Sequence, residues 1–287
     1  MSWQGIGIVS TSNAHLAARF LQGHGIADRP FAEYRRLLPS FFTSVTFTND
    51  PSSALEFVSL LSWPATRHVV FRASDHCTAL INNSRNGSDY GDYICLLPKH
   101  LRSRFARVVS TPGKEWTNGV DRVVMQYTAT IFDLSDSGGQ RIRSVLCMND
   151  GGRWTFATQG QAHPMESFFP YDHRCKRERF TKEHLNQLLI AFGLPIVTSA
   201  EFHSAGEYLL ATSRGAERAS TCTIEEADDP AFLHYLQGLT LCNHMSTHAT
   251  SVIANFERCV RLNPDYAPKL RAHLERAYQQ VRENREQ

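Results

Sequence analysis

The chain has 287 residues, of which 42% are hydrophobic and 20% are charged, and its formal net charge at pH 7 is +2. This length suffices for one large domain or two ordinary ones, and the composition excludes collagen, low-complexity disorder and a disulfide-stapled miniprotein. The near balance of 30 Lys and Arg against 28 Asp and Glu argues against a surface dedicated to nucleic acid.

The seven cysteines are scattered, and no two of them form a Cys-x-x-Cys pair. This usage predicts reduced structural thiols rather than a disulfide framework or a zinc ribbon. The first residues have no basic start and no apolar run of signal-peptide length, and no stretch reaches the ~18–20 apolar residues of a membrane span. We therefore expect a cytoplasmic protein without a membrane partner.

The N-terminal third predicts short helices around one or two strands. Capping residues, prolines and helical spacing of apolar residues predict helices over 12–22, 30–38 and 50–61. Two short apolar runs, 67–73 and 78–81, predict buried strands.

Three antiparallel strands are predicted in the middle of the chain. Apolar and polar residues alternate from Arg122 to Phe132, as in a strand with one buried face. A turn leads to a return strand at 140–148, and Asn149-Asp150-Gly151-Gly152 is typical of a tight hairpin before a third strand at 153–158. With even loop lengths, one face is apolar and the other carries Arg141, Arg143 and Trp154, whereas a one-residue bulge inverts part of this assignment.

The last third is predicted to be helical, apart from a short strand near 207–212. Helices are expected over 181–192, over 240–262 and from 266 into the tail. Apolar residues of the final helix recur at spacings of three and four, which suits a docking helix or the seam of a homodimer. They are Ala267, Leu270, Leu274, Ala277 and Val281.

Together these elements predict an α+β fold. An antiparallel meander at about 122–158, with further strands near 67–81 and 207–212, is flanked by N-terminal helices and backed by C-terminal helices. We expect an α+β body at 1–215 and a helical part at 216–287, packed on the body as one compact unit.

Signatures of several enzyme classes fail in this sequence. Gly5-Ile6-Gly7 lacks the third glycine and the preceding strand of a dinucleotide-binding turn, and no Walker loop is present. In Gly87-Ser88-Asp89-Tyr90-Gly91, an aspartate stands where the nucleophilic serine of a hydrolase is required.

The loop at 82–92 is the most polar and turn-rich stretch of the chain, which favours either a functional loop or a plain connector. A calcium loop is not supported, because Tyr93 stands where a bidentate glutamate is needed. As candidate binding residues we take Asn83, Arg85, Asp89 and Tyr90 of this loop, together with Arg141, Arg143 and Trp154 of the sheet.

The stretch 163–174 follows the meander and carries the chemistry of an acid–base site. The candidate catalytic residues are His163, Glu166 and His173, together with Asp75, His76, Asp89 and Asp92. The aromatic residues Phe168, Phe169 and Tyr171 are expected either to be buried across the sheet or, if exposed, to form a patch that binds a partner.

His244 and His248 are four residues apart on a predicted helix and are metal candidates that need a third ligand, for which Cys242 or His234 are local candidates. Met245 stands where a metalloprotease requires glutamate, so the favoured interpretation is two polar residues beside the apolar stripe. We predict no cofactor.

Basic residues cluster at 99–107 and 174–179. Each cluster is expected either to form the solvated face of a helix or strand or to contact the phosphate backbone of a nucleic acid.

Three functions follow from these patterns. The first is a non-catalytic recognition protein of inhibitor, immunity or adaptor type with a protein partner. The second is a hydrolase or nuclease-type enzyme whose Asp, His and Glu residues converge in one cleft. The third and less favoured is a nucleic-acid-binding protein.

Overall fold

A computed structural model describes residues 13–37, 42–63, 67–84, 90, 94–120, 122–149, 152–213, 220–242 and 245–286. It confirms the α+β class, with a nine-stranded antiparallel sheet, N-terminal helices and C-terminal helices. The chain divides into two compact units, Met1–Gly113 with Gln126–Thr221, and Lys114–Met125 with Cys222–Gln287. The boundary after residue 215 and the packing of the parts as one unit stay predictions.

Helices occur at both ends of the chain and between the strands. The α-helices of the described residues are α1 (Asn13–Phe20), α2 (Phe31–Leu37), α3 (Pro51–Ser59), α4 (Leu97–Leu101), α5 (Lys182–Ala191), α6 (Ser199–Ser204), α7 (Ile224–Ala227), α8 (Pro230–Cys242), α9 (Met245–Leu262) and α10 (Ala267–Glu286). Short 3-10 helices cover Pro164–Phe168, Lys176–Glu178 and Pro264–Tyr266. None of these described helices is long and apolar enough to cross a membrane.

The strands of the described residues form one large sheet and two small ones. They are β1 (Gly23–Ala27), β2 (Phe42–Thr48), β3 (Leu61–Trp63), β4 (Arg67–Arg72), β5 (Thr78–Asn82), β6 (Phe105–Thr111), β7 (Lys114–Thr117), β8 (Arg122–Gln126), β9 (Ala129–Ser135), β10 (Arg141–Asn149), β11 (Trp154–Gly160), β12 (Tyr208–Ser213) and β13 (Ser220–Cys222). The order in the large sheet is β11-β10-β9-β6-β1-β5-β4-β12-β2.

Local signals account for several of these boundaries. Asp50 caps α3, because its carboxylate accepts hydrogen bonds from the N–H groups of Ser52 and Ser53 at 3.0 Å, and Pro51 follows in the first turn. The predicted strands at 67–73 and 78–81 are confirmed as β4 and β5.

The central strand β1 was not predicted, because its two glycines resemble the end of a helix. The ring of Phe105 lies against Gly25, and a Cβ atom at this position would be 2.4 Å from the ring Cζ. Glycine is therefore needed here for a close approach across the sheet rather than for a turn.

The two faces of the large sheet are covered by different helices. On the first face, Val70, Leu80 and Phe105 form a core with Tyr34 of α2 and Leu101 of α4. On the second face, the ring centroid of Phe71 lies 5.0 Å from that of Phe202 in α6, and Phe132 stacks at 5.4 Å on Phe192, just after α5.

The predicted meander is confirmed as β9, β10 and β11, but its first strand is shorter than expected. The segment predicted as one strand, 122–132, is divided into β8 and β9. Strand β8 pairs with β7 in a separate two-stranded sheet, whereas β9 belongs to the large sheet. The alternation of apolar residues continues across this break, so parity could not reveal that the partner strand changes.

A bulge at Ile142 changes the predicted faces of the meander. Arg141 pairs with Ser135 and Arg143 with Leu134, so the two arginines lie on opposite faces rather than on one. The predicted apolar face is found where the register is regular. Its buried residues Val109, Ala129 and Ile131 pack against the partly buried Leu146 and Met148.

The second unit is built on α8, α9 and α10. Leu270 and Ala277 of α10 are fully buried in an apolar cluster with residues of α8 and α9 such as Phe256. The predicted stripe of the final helix is thus used for packing inside the chain. In the same unit, Lys114 of β7 forms an ion pair of 2.8 Å with Asp228.

Candidate functional site

The stretch from His163 to Arg179 lies over the second face of β10 and β11 and is called the 163–179 segment below. It contains the 3-10 helices Pro164–Phe168 and Lys176–Glu178, joined by a short turn. Side chains of the sheet that face the segment include Arg143, Cys147 and Phe156, which share one face by register.

A buried ion pair fastens the segment to β10. Arg143 and Glu166 are 3% and 4% exposed. Nε of Arg143 donates to both carboxylate oxygens of Glu166, at 2.9 and 3.1 Å, and Nη2 donates a further bond to Oε2. Nη1 donates to the carbonyl oxygens of Gln159 and Gly160 at 3.1 and 3.0 Å, so the guanidinium group is bonded on every nitrogen.

Glu166 accepts hydrogen bonds from two further groups of the segment. The N–H of His163 and the hydroxyl of Tyr171 each donate to its carboxylate at 2.7 Å. Burial by itself would raise the pKa of Glu166, but the bonds from Arg143, His163 and Tyr171 outweigh it and hold the pKa below the ordinary 4.5. Burial and the bond to Glu166 raise the pKa of Tyr171.

These bonds decide what Glu166 can do chemically. A general base must reach the proton it removes, within about 3 Å. The carboxylate of Glu166 is buried and already accepts bonds from three residues, so it suits an anchor better than a catalytic base.

The two histidines of the segment also make local structural bonds. Nδ1 of His163 accepts a bond from the N–H of Met165 at 3.2 Å and caps the first 3-10 helix. Nδ1 of His173 lies 3.2 Å from the N–H of Cys175 and also 3.2 Å from Oε2 of Glu178.

The anchored segment directs its neighbouring aromatic residues in opposite directions. Phe169 is buried, with its ring centroid 4.8 Å from that of His184 in α5. Phe168 is 82% exposed and Met165 is 38% exposed. Phe169 is therefore buried and Phe168 exposed, and the binding of a partner by Phe168 stays a prediction.

The exposed side of the segment also carries positive charge. Arg174, Lys176 and Arg177 are exposed, and Arg177 lies 3.6 Å from the carboxylate of Glu178. The guanidinium carbon of Arg179 lies 5.4 Å from the ring centroid of Phe156, so this arginine covers the sheet.

Asp75 and His76 lie far from the segment. They are exposed in the turn between β4 and β5, whereas Glu166 is bound to β10. Four strand spacings of about 4.8 Å separate β10 from β5, or roughly 19 Å along the sheet. Asp75 and His76 are therefore not brought together with the catalytic candidates of the segment.

The candidates of the 82–92 loop fall into two groups. Arg85, Asp89 and Asp92 lie outside the described residues. Asn83 and Tyr90 are buried. The Asn83 side chain accepts from Arg67 N–H at 3.0 Å and donates to the Leu60 carbonyl at 2.8 Å, and the Tyr90 hydroxyl lies 3.3 Å from Nδ1 of His68. Their placement favours packing over ligand binding.

The remaining candidates lie apart from each other. Trp154 is half-buried at the start of β11, and Arg141 is exposed and donates to the side chain of Gln159 at 3.3 Å. His248 is exposed on α9, and His244 lies outside the described residues. Within the described ranges, no group of three His, Cys, Asp or Glu residues is arranged to hold a metal ion.

Sequence reasoning missed the pairing of Arg143 with Glu166. The two residues are 23 positions apart, and no local spacing signals their contact. One signal was available, since His163 and Glu166 have the spacing of a capping box, in which the third helical residue bonds back to the cap. That pattern would have indicated a structural task for both residues.

Comparisons of this chain with protein-family models, with curated proteins and with solved structures find no match.

Proposed function

We propose that this chain is a non-catalytic recognition protein that binds another protein through the exposed side of the 163–179 segment. The observation that carries the proposal is the exposure of Phe168 on a short helix that a buried ion pair fastens to the sheet. Exposed aromatic residues on rigid supports are typical anchors of protein interfaces.

The energetics favour such an anchor. Full burial of a phenylalanine side chain is worth about 1.5–3 kcal/mol. Little of this gain is lost to ordering, because Glu166 already bonds the backbone of His163 before Phe168 and the side chain of Tyr171 after it. Met165, on the same helix, adds apolar surface.

The charge of the segment defines the partner's chemistry. Arg174 and Lys176 are exposed in the same segment as Phe168, and the neighbouring Arg177 lies 3.6 Å from the carboxylate of Glu178. The complementary surface is therefore an apolar recess bordered by carboxylates, and association should weaken as salt screens this attraction. A cytoplasmic location is part of the proposal, because all seven cysteines are free and suit a reducing compartment.

The other two hypotheses have less support. An Asp/His/Glu enzyme requires a shared cleft, and Asp75 and His76 lie roughly 19 Å along the sheet from the strand that holds Glu166. A surface that binds nucleic acid requires basic side chains available to phosphate groups. Two arginines of the 99–107 cluster are instead paired with carboxylates. Arg104 pairs with Asp28 at 2.6 Å and Arg107 with Asp133 at 3.0 Å.

The experiment compares partner capture by the wild-type chain, Phe168→Ala and a control, Ile190→Ala. Ile190 is 64% exposed on α5 of the same unit, so its substitution removes a similar apolar group from another surface. The captured protein is identified from the source cell and then titrated in purified form. We expect Phe168→Ala to weaken its affinity at least about 30-fold, the loss typical of an interface hot spot.

The control should retain wild-type affinity, and Lys176→Glu should reduce both the affinity and its salt dependence. The proposal is wrong if Phe168→Ala and the wild type bind the same proteins with equal affinity.

A further inference from the structure

Cys147 lies beneath the 163–179 segment, on the second face of β10. Its side chain is 1% exposed, and its Sγ donates to the carbonyl oxygen of Lys176 at 3.1 Å. Phe156 of β11 lies directly opposite Cys147, and the guanidinium group of Arg179 lies over its ring. The buried thiol is thus in direct contact with the residue that follows Cys175.

Cys175 is half-buried and occupies a fixed position at the start of the second 3-10 helix. Its N–H donates to Nδ1 of His173 at 3.2 Å, and its carbonyl accepts from the N–H of Glu178 at 3.1 Å. Burial raises the pKa of the Cys147 thiol, and Cys175 raises it further.

We propose that Cys175 is a modification site for hydrogen peroxide and that its oxidised form closes a reversible disulfide with Cys147. This inference goes beyond the proposed function and does not depend on it. The two cysteines form a pair in which one thiol is accessible and the other lies under the same segment.

The chemistry balances in two steps. The Cys175 thiolate attacks one oxygen of hydrogen peroxide, the O–O bond breaks, and Cys175 becomes a sulfenic acid while hydroxide leaves. The Cys147 sulfur then attacks the Cys175 sulfur, the S–O bond breaks, and the oxygen leaves as water with the proton of Cys147. Two thiols are oxidised by two electrons and one peroxide is reduced to two waters.

The surroundings of each cysteine explain this order. Cys175 is half-buried, so peroxide can reach its sulfur. Cys147 is closed to solvent and can react only with a group that the segment brings to it. The disulfide would link the segment covalently to β10, and we expect the melting temperature of unit 1 to rise by several degrees.

The test uses the full chain, reduced and then treated with hydrogen peroxide. Remaining thiols are blocked with N-ethylmaleimide, and the protein is digested without reductant and analysed by mass spectrometry. We expect a disulfide-linked peptide pair containing Cys147 and Cys175, which dithiothreitol separates. The pair should be absent in Cys175→Ser and present in Cys95→Ser, a control at an exposed cysteine outside the segment.

A second readout separates the two steps. In Cys147→Ser, the sulfenic acid of Cys175 has no partner, and its labelling by dimedone should increase several-fold over the wild type. Substitution of the buried Cys147 can prevent folding. In that case the loss of the linked peptide pair in Cys175→Ser tests the proposal without the Cys147 variant. Recovery of both cysteines in separate, unlinked peptides after peroxide treatment, or of Cys175 in a link between two chains, overturns the proposal.

Discussion

Ion pairs of this protein differ greatly in burial, and this difference sets their value. Arg143 and Glu166 are both almost closed to solvent, whereas the Glu33 side chain in the pair with Arg29 is 53% exposed. A surface pair contributes little, because water and salt screen both charges. Removal of one partner from a buried pair leaves an unpaired charge in a medium that solvates it poorly.

Glu166→Gln is therefore expected to destabilise the first unit by about 3–5 kcal/mol, since it leaves the Arg143 guanidinium buried without a counter-charge. Urea denaturation measures this loss. The matched control, Glu33→Gln, removes an exposed partner in the same unit and should change the midpoint little. Similar midpoints for the two variants would show that the buried pair is not an anchor.

At the scale of elements, one glycine controls how closely two helices approach. Gly238 of α8 faces Phe256 of α9, and a Cβ atom at residue 238 would lie 2.2 Å from the ring. Phe256 is fully buried within the apolar cluster of the second unit and cannot easily move. The absence of a side chain at Gly238 is therefore a packing requirement.

Two opposing effects act in Gly238→Ala. Alanine favours the helix by about 1 kcal/mol over glycine, whereas overpacking a closed core costs about 1–3 kcal/mol. We expect the clash to prevail, with a net loss of about 1–2 kcal/mol in the free energy of unfolding. In the background of Phe256→Leu, which removes the ring, the same substitution should be neutral or stabilising; equal losses in both backgrounds contradict this explanation.

At the scale of the whole molecule, two buried histidines make the first unit sensitive to acid. His24 in β1 has Nδ1 3.2 Å from the carbonyl oxygen of Leu21, and His68 in β4 lies near Tyr90 and Phe42. Burial lowers the pKa of each from 6.5 to about 4, because the charged imidazolium is poorly solvated in the core.

The sign of the pH dependence follows from these shifts. The unfolded chain takes up protons below its histidine pKa of about 6.5, whereas the folded chain does so only near pH 4. The free energy of unfolding is thus highest above pH 6.5 and should fall by roughly 2 kcal/mol per histidine between pH 7 and pH 5. Urea unfolding across this range measures it, and His24→Leu should remove about half of the slope. A flat profile would contradict the expected burial of both rings.

The sequence by itself determined the elements whose signals are local. Asp50 followed by Pro51 indicates the start of α3, because the capping carboxylate and the fixed proline backbone act within one turn. The alternation of residues and the Asn-Asp-Gly-Gly turn likewise predicted β9, β10 and β11, since both depend on neighbours along the chain.

Only the tertiary structure decided which distant groups meet. Strand β1 contains two glycines that resemble a helix end, and the approach of Phe105 explains one of them. The bulge at Ile142 places Arg141 and Arg143 on opposite faces of the sheet. Only the fold brings Glu166 into contact with Arg143. Such contacts form between residues far apart in sequence, where burial and charge pairing outweigh local preference, and they convert a candidate catalytic segment into an anchored surface that exposes Phe168.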